Sequence, residues 1–156
     1  GESMKIVIIN GPNLNLLGKR EPAIYGTRSM EQVLVDIQRA HMDIHLTYLQ
    51  SNHEGDLIDW IQEHGCANLE KEVDGIVLNA GGYTHTSVAL RDAVACAQVP
   101  VVEVHISDIS QREEFRRTSL LTDVCAHSII GHGTDGYNEA IEWLLEASHK
   151  ELKVDS

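Results

Sequence analysis

Lys5-Ile6-Val7-Ile8-Ile9-Asn10 is an almost unbroken β-branched run that passes straight into Gly11-Pro12-Asn13-Leu14-Asn15. A continuous apolar stretch, rather than an alternating one, marks a strand covered on both faces, as in a parallel sheet flanked by helices. The same pattern recurs outward from it. Leu46 to Gln50 reads as a second strand, Asp74-Gly75-Ile76-Val77-Leu78-Asn79 as a third, Val101 to Ile106 as a fourth and Ser128 to Ile130 as a short fifth. Amphipathic stretches separate them. Ser29-Met30-Glu31-Gln32 opens a helix with a capping-box pattern, in which Ser29 takes an orphan amide and Gln32 reaches back. Val33, Leu34, Ile37 and Ala40 follow at helical spacing. Asp56 to His64 reads as a second helix ending at Gly65, Ser87 to Ala97 as a third stopped before Pro100, and Gly136 to Ser148 as a closing one.

Strand-helix alternation repeated this often predicts an α/β fold, a doubly wound parallel sheet with helices on both faces. For a chain of 156 residues the five-stranded flavodoxin-like arrangement is the natural size match. It is read as a single domain over 4–150, with Gly1-Glu2-Ser3 as an appended remnant ahead of Met4. A chain of this size buries roughly two-thirds of its unfolded surface, so its core needs no disulfide or metal.

Composition excludes several classes of function. Twelve Lys and Arg against 24 Asp and Glu leave a net charge of −12, which repels phosphate backbones and anionic membranes. Hydrophobic content of 42% is too high for a disordered chain, yet no run approaches the roughly 20 apolar residues of a membrane span. Cys66, Cys96 and Cys125 are scattered and odd in number, which predicts free thiols in a reducing compartment. The expectation is a soluble cytoplasmic protein, with no nucleic-acid or membrane partner.

In a doubly wound sheet, ligands bind beyond the carboxyl ends of the strands. Those ends are polar here: Asn10 to Asn15, Asn79-Ala80-Gly81-Gly82-Tyr83-Thr84-His85, and Glu103-Val104-His105-Ile106-Ser107-Asp108. Three such segments converging on one rim predict a pocket. Glu103 and His105 are two apart on a strand and so share a face, where the carboxylate can fix which imidazole nitrogen carries the proton. Gly11 to Arg28 shows neither helical nor strand period; with Lys19, Arg20 and Tyr25 between Gly18 and Gly26, it suits either a lid over an anionic substrate or a solvated surface loop. Gln111 to Arg117 carries three arginines, of which Arg112 and Arg116 share a helical face and suit either a carboxylate clamp or surface charge. His41 and His45, at helical spacing, lack a third ligand and read as a solvated helix face. Gly131-His132-Gly133-Thr134-Asp135-Gly136 has phosphate-loop glycine spacing but follows the last strand, so turn geometry is the better reading.

Five ordered segments resemble one family. Gly11-Pro12-Asn13-Leu14-Asn15-Leu16-Leu17-Gly18 with Arg20-Glu21-Pro22 and Tyr25-Gly26 is the first, and Gln50-Ser51-Asn52-His53-Glu54-Gly55 the second. Asn79 to Ser87 with Arg91-Asp92-Ala93 is the third, and Glu103 to Ser107 and Arg112 to Arg116 complete the set. Together they are similar to the type II 3-dehydroquinate dehydratases, across Met4 to about Leu145.

The resemblance implies dehydration of 3-dehydroquinate to 3-dehydroshikimate, the third step of the shikimate pathway, by anti elimination through an enolate, with no imine, metal or cofactor. It implies Tyr25 as the base, Arg20 as the group that holds the tyrosinate, and Asn13 as the residue that orders a water near the enolate oxygen. His105, oriented by Glu103, would protonate the departing hydroxyl. Asn79, His85, Ile106, Ser107, Arg112 and Arg116 match substrate-binding positions. Asp92 matches a residue that reaches a neighbouring subunit's site, so the family's trimers, stacked into dodecamers, are the expected assembly. A phenol titrates near 10, and lowering that by two units takes about 2.7 kcal/mol. One cation at about 4 Å supplies on the order of 4 kcal/mol at an effective dielectric of 20.

Asp108 departs from the family's usual asparagine and is expected to point away from the site with modest effect. His132 and Asn138 are departures at positions read as structural. A non-catalytic flavin-binding module would need a Ser/Thr-rich loop after the first strand. A phosphate-accepting receiver would need acids where Asn10 and Asn79 stand.

Overall fold

The computed structural model describes residues 3–19, 21–66 and 73–155, with the side chains of Tyr25 and of 151–155 outside that description. Five strands, β1 (Lys5–Asn10), β2 (His45–Gln50), β3 (Gly75–Asn79), β4 (Val101–His105) and β5 (His127–Ile130), form one all-parallel sheet in the order β2-β1-β3-β4-β5. The helices that connect and cover them are α1 (Pro22–Tyr25), α2 (Met30–Ala40), α3 (Glu54–Ile61), α4 (Val88–Ala95) and α5 (Asp135–Asp155). The sequence-based fold class is therefore observed, with strand limits shifted by one residue at most places.

The continuous apolar runs have a direct physical reason. In β1, Ile6 and Ile8 point into a core built with Val33 and Ile37 of α2 and Ala140, Ile141 and Leu144 of α5. Val7 and Ile9 point the other way, against Leu57 and Ile61 of α3 and Leu90 and Val94 of α4. Each face of the sheet thus carries its own apolar layer, and alternation of polar residues would have exposed neither side usefully.

Local readings change in several places. Ser29 caps α2 by accepting from the Gln32 N–H at 3.2 Å, but the Gln32 amide donates to Asp36 at 2.9 Å instead of reaching back. The segment from Gly11 to Arg28 is not period-free coil: a 3-10 turn at Leu14–Leu16 and the one-turn α1 lie within it, both too short to show periodicity. His41 and His45 do not share a helix face, since His41 caps α2 and His45 opens β2.

The strand order reverses between β1 and β3, and there the terminal residues Asn10 and Asn79 lie in register. Gly11 immediately follows, its N–H donating to the Asn79 carbonyl at 2.8 Å. A Cβ at Gly11 would stand 2.5 Å from the Ala80 carbonyl oxygen, so the two loops can meet only around a glycine. That meeting point is the floor of the cleft described next.

Candidate active site

The loops after β1, β3 and β4 enclose a cleft of about 170 Å³ lined by Asn13, Asn79, His85, His105, Ser107, Arg112 and Arg116, with Ile106 in its wall. All of these were predicted from the sequence as site residues. They come together because three strand ends stop at one rim of the sheet.

Asn13 sits in the left-handed region at φ 70°. Its backbone N–H donates to Asn52 Oδ1 at 3.0 Å, and that same oxygen accepts from the Gln50 amide at 3.3 Å. Asn52 thus ties the loop after β2 to the loop after β1. Gln50 and Asn52 belong to a motif recognised in the sequence without a role for either side chain.

Glu103 and His105 project from β4 on the face shared with Val101, and both are buried at 1% and 6% exposure. The Glu103 carboxylate lies 2.6 Å from His105 Nε2. A carboxylate can only accept, so Nε2 carries a proton, and Nδ1 is the nitrogen left for a ligand in the cleft. Burial alone would raise the Glu103 carboxyl, but hydrogen bonds from His105, Ser119 and Thr122 and the pull of the imidazole hold it down to about 2. Thr122 and Ser128 each donate to Oε1 at 2.7 Å, while Ser119 and His105 share Oε2.

Four donors on one buried carboxylate make a rigid mount for the imidazole. Ser119, Thr122 and Ser128 escaped the sequence reading. Only Ser128 had a signal, since β5 pairs with β4 in a register that sets it beside Glu103.

This mount has a pH signature. A carboxyl lowered from 4.5 in the unfolded chain to about 2 in the fold stabilises the protein fully above pH 4.5 and loses that contribution as pH falls toward 2. The unfolding free energy from urea titrations should therefore fall between those limits by on the order of 3 kcal/mol. Glu103→Gln, weaker at neutral pH, should lose this part of the acid dependence; an unchanged slope would mean that other carboxylates account for it.

His85 donates Nδ1–H to the Thr118 carbonyl at 2.8 Å. Burial pushes its imidazole below the ordinary value by more than this bond restores, and His105 and Arg116 add to the depression. It is accordingly neutral at pH 7 and presents Nε2 as an acceptor for a ligand hydroxyl. Arg112 donates to Ser107 Oγ at 3.2 Å, and Arg116 pairs with Glu113 while lying over the Phe115 ring. The two arginines stand on separate turns, Arg112 after Ile109–Gln111 and Arg116 ending Glu114–Arg116, and not on one helical face. They reach the same cleft and bring positive charge to one wall of an acidic protein.

The remaining site residues lie elsewhere. Tyr25 ends α1, followed by Gly26 at φ 81°, but its side chain and all of Arg20 are outside the described residues. Gly18, at φ 89°, closes the other end of that segment, where a Cβ would stand 2.9 Å from the Thr27 carbonyl oxygen. Asp92 is exposed on α4, in a separate groove with Ile58, Cys66 and Cys96, and this chain does not bring it to the cleft. Asp108 accepts from the Ser110 N–H at 3.0 Å and the Ser110 hydroxyl at 2.6 Å, capping the turn that leads to Arg112. His132 pairs with Glu139, and Asn138 with His41 and Glu142, outside the cleft.

Among the described residues no lysine lines the cleft and no group of three or more His, Cys, Asp or Glu could hold a metal. None of the described helices is long and apolar enough to cross a membrane.

Comparison with known proteins agrees with this arrangement. The dehydroquinase class II family matches residues 4–145. The 3-dehydroquinate dehydratase of Bacillus pumilus is 50% identical over 89% of this chain and 92% of its own length. That of Halothermothrix orenii is 45% identical over 94% and 97%. Among solved structures, type II dehydroquinase from Butyrivibrio crossotus superposes with a TM-score of 0.85 at 47% identity, covering 92% of this chain and 99% of that one. A five-stranded parallel sheet, a cleft at its switch point and a match spanning nearly the whole domain make this chain an enzyme of the class II dehydroquinase family.

Proposed function

We propose that the protein dehydrates 3-dehydroquinate to 3-dehydroshikimate by anti elimination through an enolate, in a single domain over 4–150. Tyr25, as its phenolate, removes the proton on the carbon beside the ketone, and Arg20 holds that anion. The electron pair moves to the ketone oxygen, where a water ordered by Asn13 stabilises the enolate. Collapse of the enolate expels the hydroxyl on the far side, which takes a proton from Nδ1 of the His105 imidazolium and leaves as water. The product is a conjugated enone.

The observation that carries this reading is the buried Glu103–His105 pair opening onto an arginine-lined cleft in a chain of this family. A substrate with one carboxylate and several hydroxyls suits that wall: Arg112 and Arg116 offer cationic forks, while neutral His85 and Asn79 offer polar partners to hydroxyls. The backbone and side chain of Ile106 and Ser107 complete the binding set. Proton transfer and charge stabilisation by these groups require neither metal nor cofactor. Asp92 lies on an exposed helix face, where it can reach a neighbouring copy; the family resemblance implies that such copies form trimers stacked into a dodecamer, and that is the assembly proposed.

Added 3-dehydroquinate should give a conjugated-enone absorbance that grows with time, and borohydride included with substrate should leave the enzyme active. Borohydride inactivation with a stable lysine adduct would establish imine chemistry instead. Because Asp108 is occupied in capping its own turn, Asp108→Asn should change kcat/KM by less than about tenfold, roughly 1.4 kcal/mol. A larger gain would show that its charge opposes the substrate carboxylate.

A further inference from the structure

Tyr137 stands in the first turn of α5 and is wholly buried, far from any role in the chemistry above. Its phenol oxygen lies 3.0 Å from Asn79 Nδ2 and 2.8 Å from Asn10 Oδ1. An amide nitrogen can only donate, so the phenol oxygen accepts from Asn79 and its one proton goes to Asn10. Asn10 passes the pattern on, its amide donating to the Tyr48 hydroxyl at 3.3 Å. At the other end Asn79 Oδ1 accepts from the Gly81 N–H at 3.2 Å. All four bonds run in one direction, Gly81 to Asn79 to Tyr137 to Asn10 to Tyr48, and aligned bonds of this kind strengthen one another.

The consequence falls on Asn79, which lines the cleft. Its amide has two orientations half a turn apart. In the flipped one the amide N–H groups would face the Gly81 N–H, donor against donor, and the Asn79 oxygen would face a phenol whose proton is committed to Asn10. Gly81 and Tyr137 therefore select one orientation and hold one donor and one acceptor of Asn79 for the cleft. Burial keeps the phenol protonated, so its donor role to Asn10 persists through the working pH range.

We propose that Tyr137 is a positioning residue for the reaction: its hydroxyl, its proton held by Asn10, locks the Asn79 amide in the cleft in the single orientation that the substrate meets. This rests on the reading of Asn79 as a substrate-binding residue of the dehydratase.

The test is a double-mutant cycle on 3-dehydroquinate turnover, using the intact protein. Tyr137→Phe keeps the ring in the core and should raise KM about tenfold, the effect of stranding a buried polar group, with kcat changed less than about threefold. In an Asn79→Ala background the same substitution should change kcat/KM less than about twofold, because the group it acts through is gone. A residue serving only the core would lower the melting temperature, leave KM alone in the folded protein, and add its effect independently of Asn79.

Asn10→Ala, which keeps the phenol but removes the acceptor of its proton, should reproduce the KM rise and its masking by Asn79→Ala. It decides the matter if Tyr137→Phe does not fold. Unchanged KM in the folded variant, or an undiminished loss in the Asn79→Ala background, overturns the inference while leaving the dehydratase reading intact. Absence of turnover in the unsubstituted protein would overturn both.

Discussion

Tyr25→Phe is expected to lower kcat on 3-dehydroquinate by about a thousandfold while leaving the melting temperature and far-ultraviolet spectrum unchanged. The substitution removes one oxygen and keeps the ring, so KM should move only a few-fold. Tyr25 closes a one-turn helix begun by Pro22, whose fixed φ suits the first helical position. Gly26 then turns the chain at φ 81°, a value that bulkier residues resist. The backbone at Tyr25 is thus set by its neighbours, and the phenol oxygen can be removed without unravelling the turn. Steady-state kinetics decide the case: activity within about tenfold of the unsubstituted protein would remove Tyr25 as the base.

The second large effect concerns the proton donor. His105→Gln is designed so that the new amide nitrogen takes the place of Nε2 and keeps a donor on Glu103. Removing that donor outright would leave a buried carboxylate with one partner fewer, and the loss of fold would obscure the loss of chemistry. With the mount kept, urea stability should change by less than about 1 kcal/mol. The variant has no group equivalent to Nδ1–H for the departing hydroxyl. kcat should fall by about a thousandfold, at the middle of the range for general acids, with KM nearly constant. A kcat within about tenfold, in a folded variant, would place the acid elsewhere.

Much of the fold was legible because its sheet is buried on both sides. Ile6 to Ile9 and Ile76 to Leu78 are continuous apolar runs for the same reason that they are strands: two helical layers cover them. Helix ends were less legible. α3 begins at Glu54, two residues before the sequence suggested, because Ser51 accepts from the His53 N–H and donates to Asp56, setting the turn early. A wider turn at Gln62–Cys66 continues it, where the sequence suggested a stop at Gly65.

At the site, the Glu103–His105 pair was legible because strand geometry puts residues two apart on one face. The donors that hold Glu103 were not. Ser119 and Thr122 arrive from a loop whose path depends on the whole fold, and no local pattern marks them. Tyr137 was missed for a related reason: after a glycine-rich turn it reads as one more core aromatic. Only its hydrogen bonds to Asn10 and Asn79, on strands 127 and 58 residues away in sequence, reveal its connection to the cleft. Asp92 was read as serving a neighbouring subunit; it lies exposed on α4, outside this chain's own cleft.

A crystal structure with a bound, unreactive analogue of 3-dehydroquinate tests the central claim most directly. The Tyr25 hydroxyl oxygen should lie within about 3.5 Å of the carbon beside the ketone, the distance of a near-attack geometry. His105 Nδ1 should lie about 2.6–3.2 Å from the hydroxyl that leaves, on the opposite side of the ring. With the segment from Gly18 to Gly26 folded over the ligand, a phenol oxygen more than about 6 Å from that carbon, too far for proton transfer, would contradict a tyrosinate base.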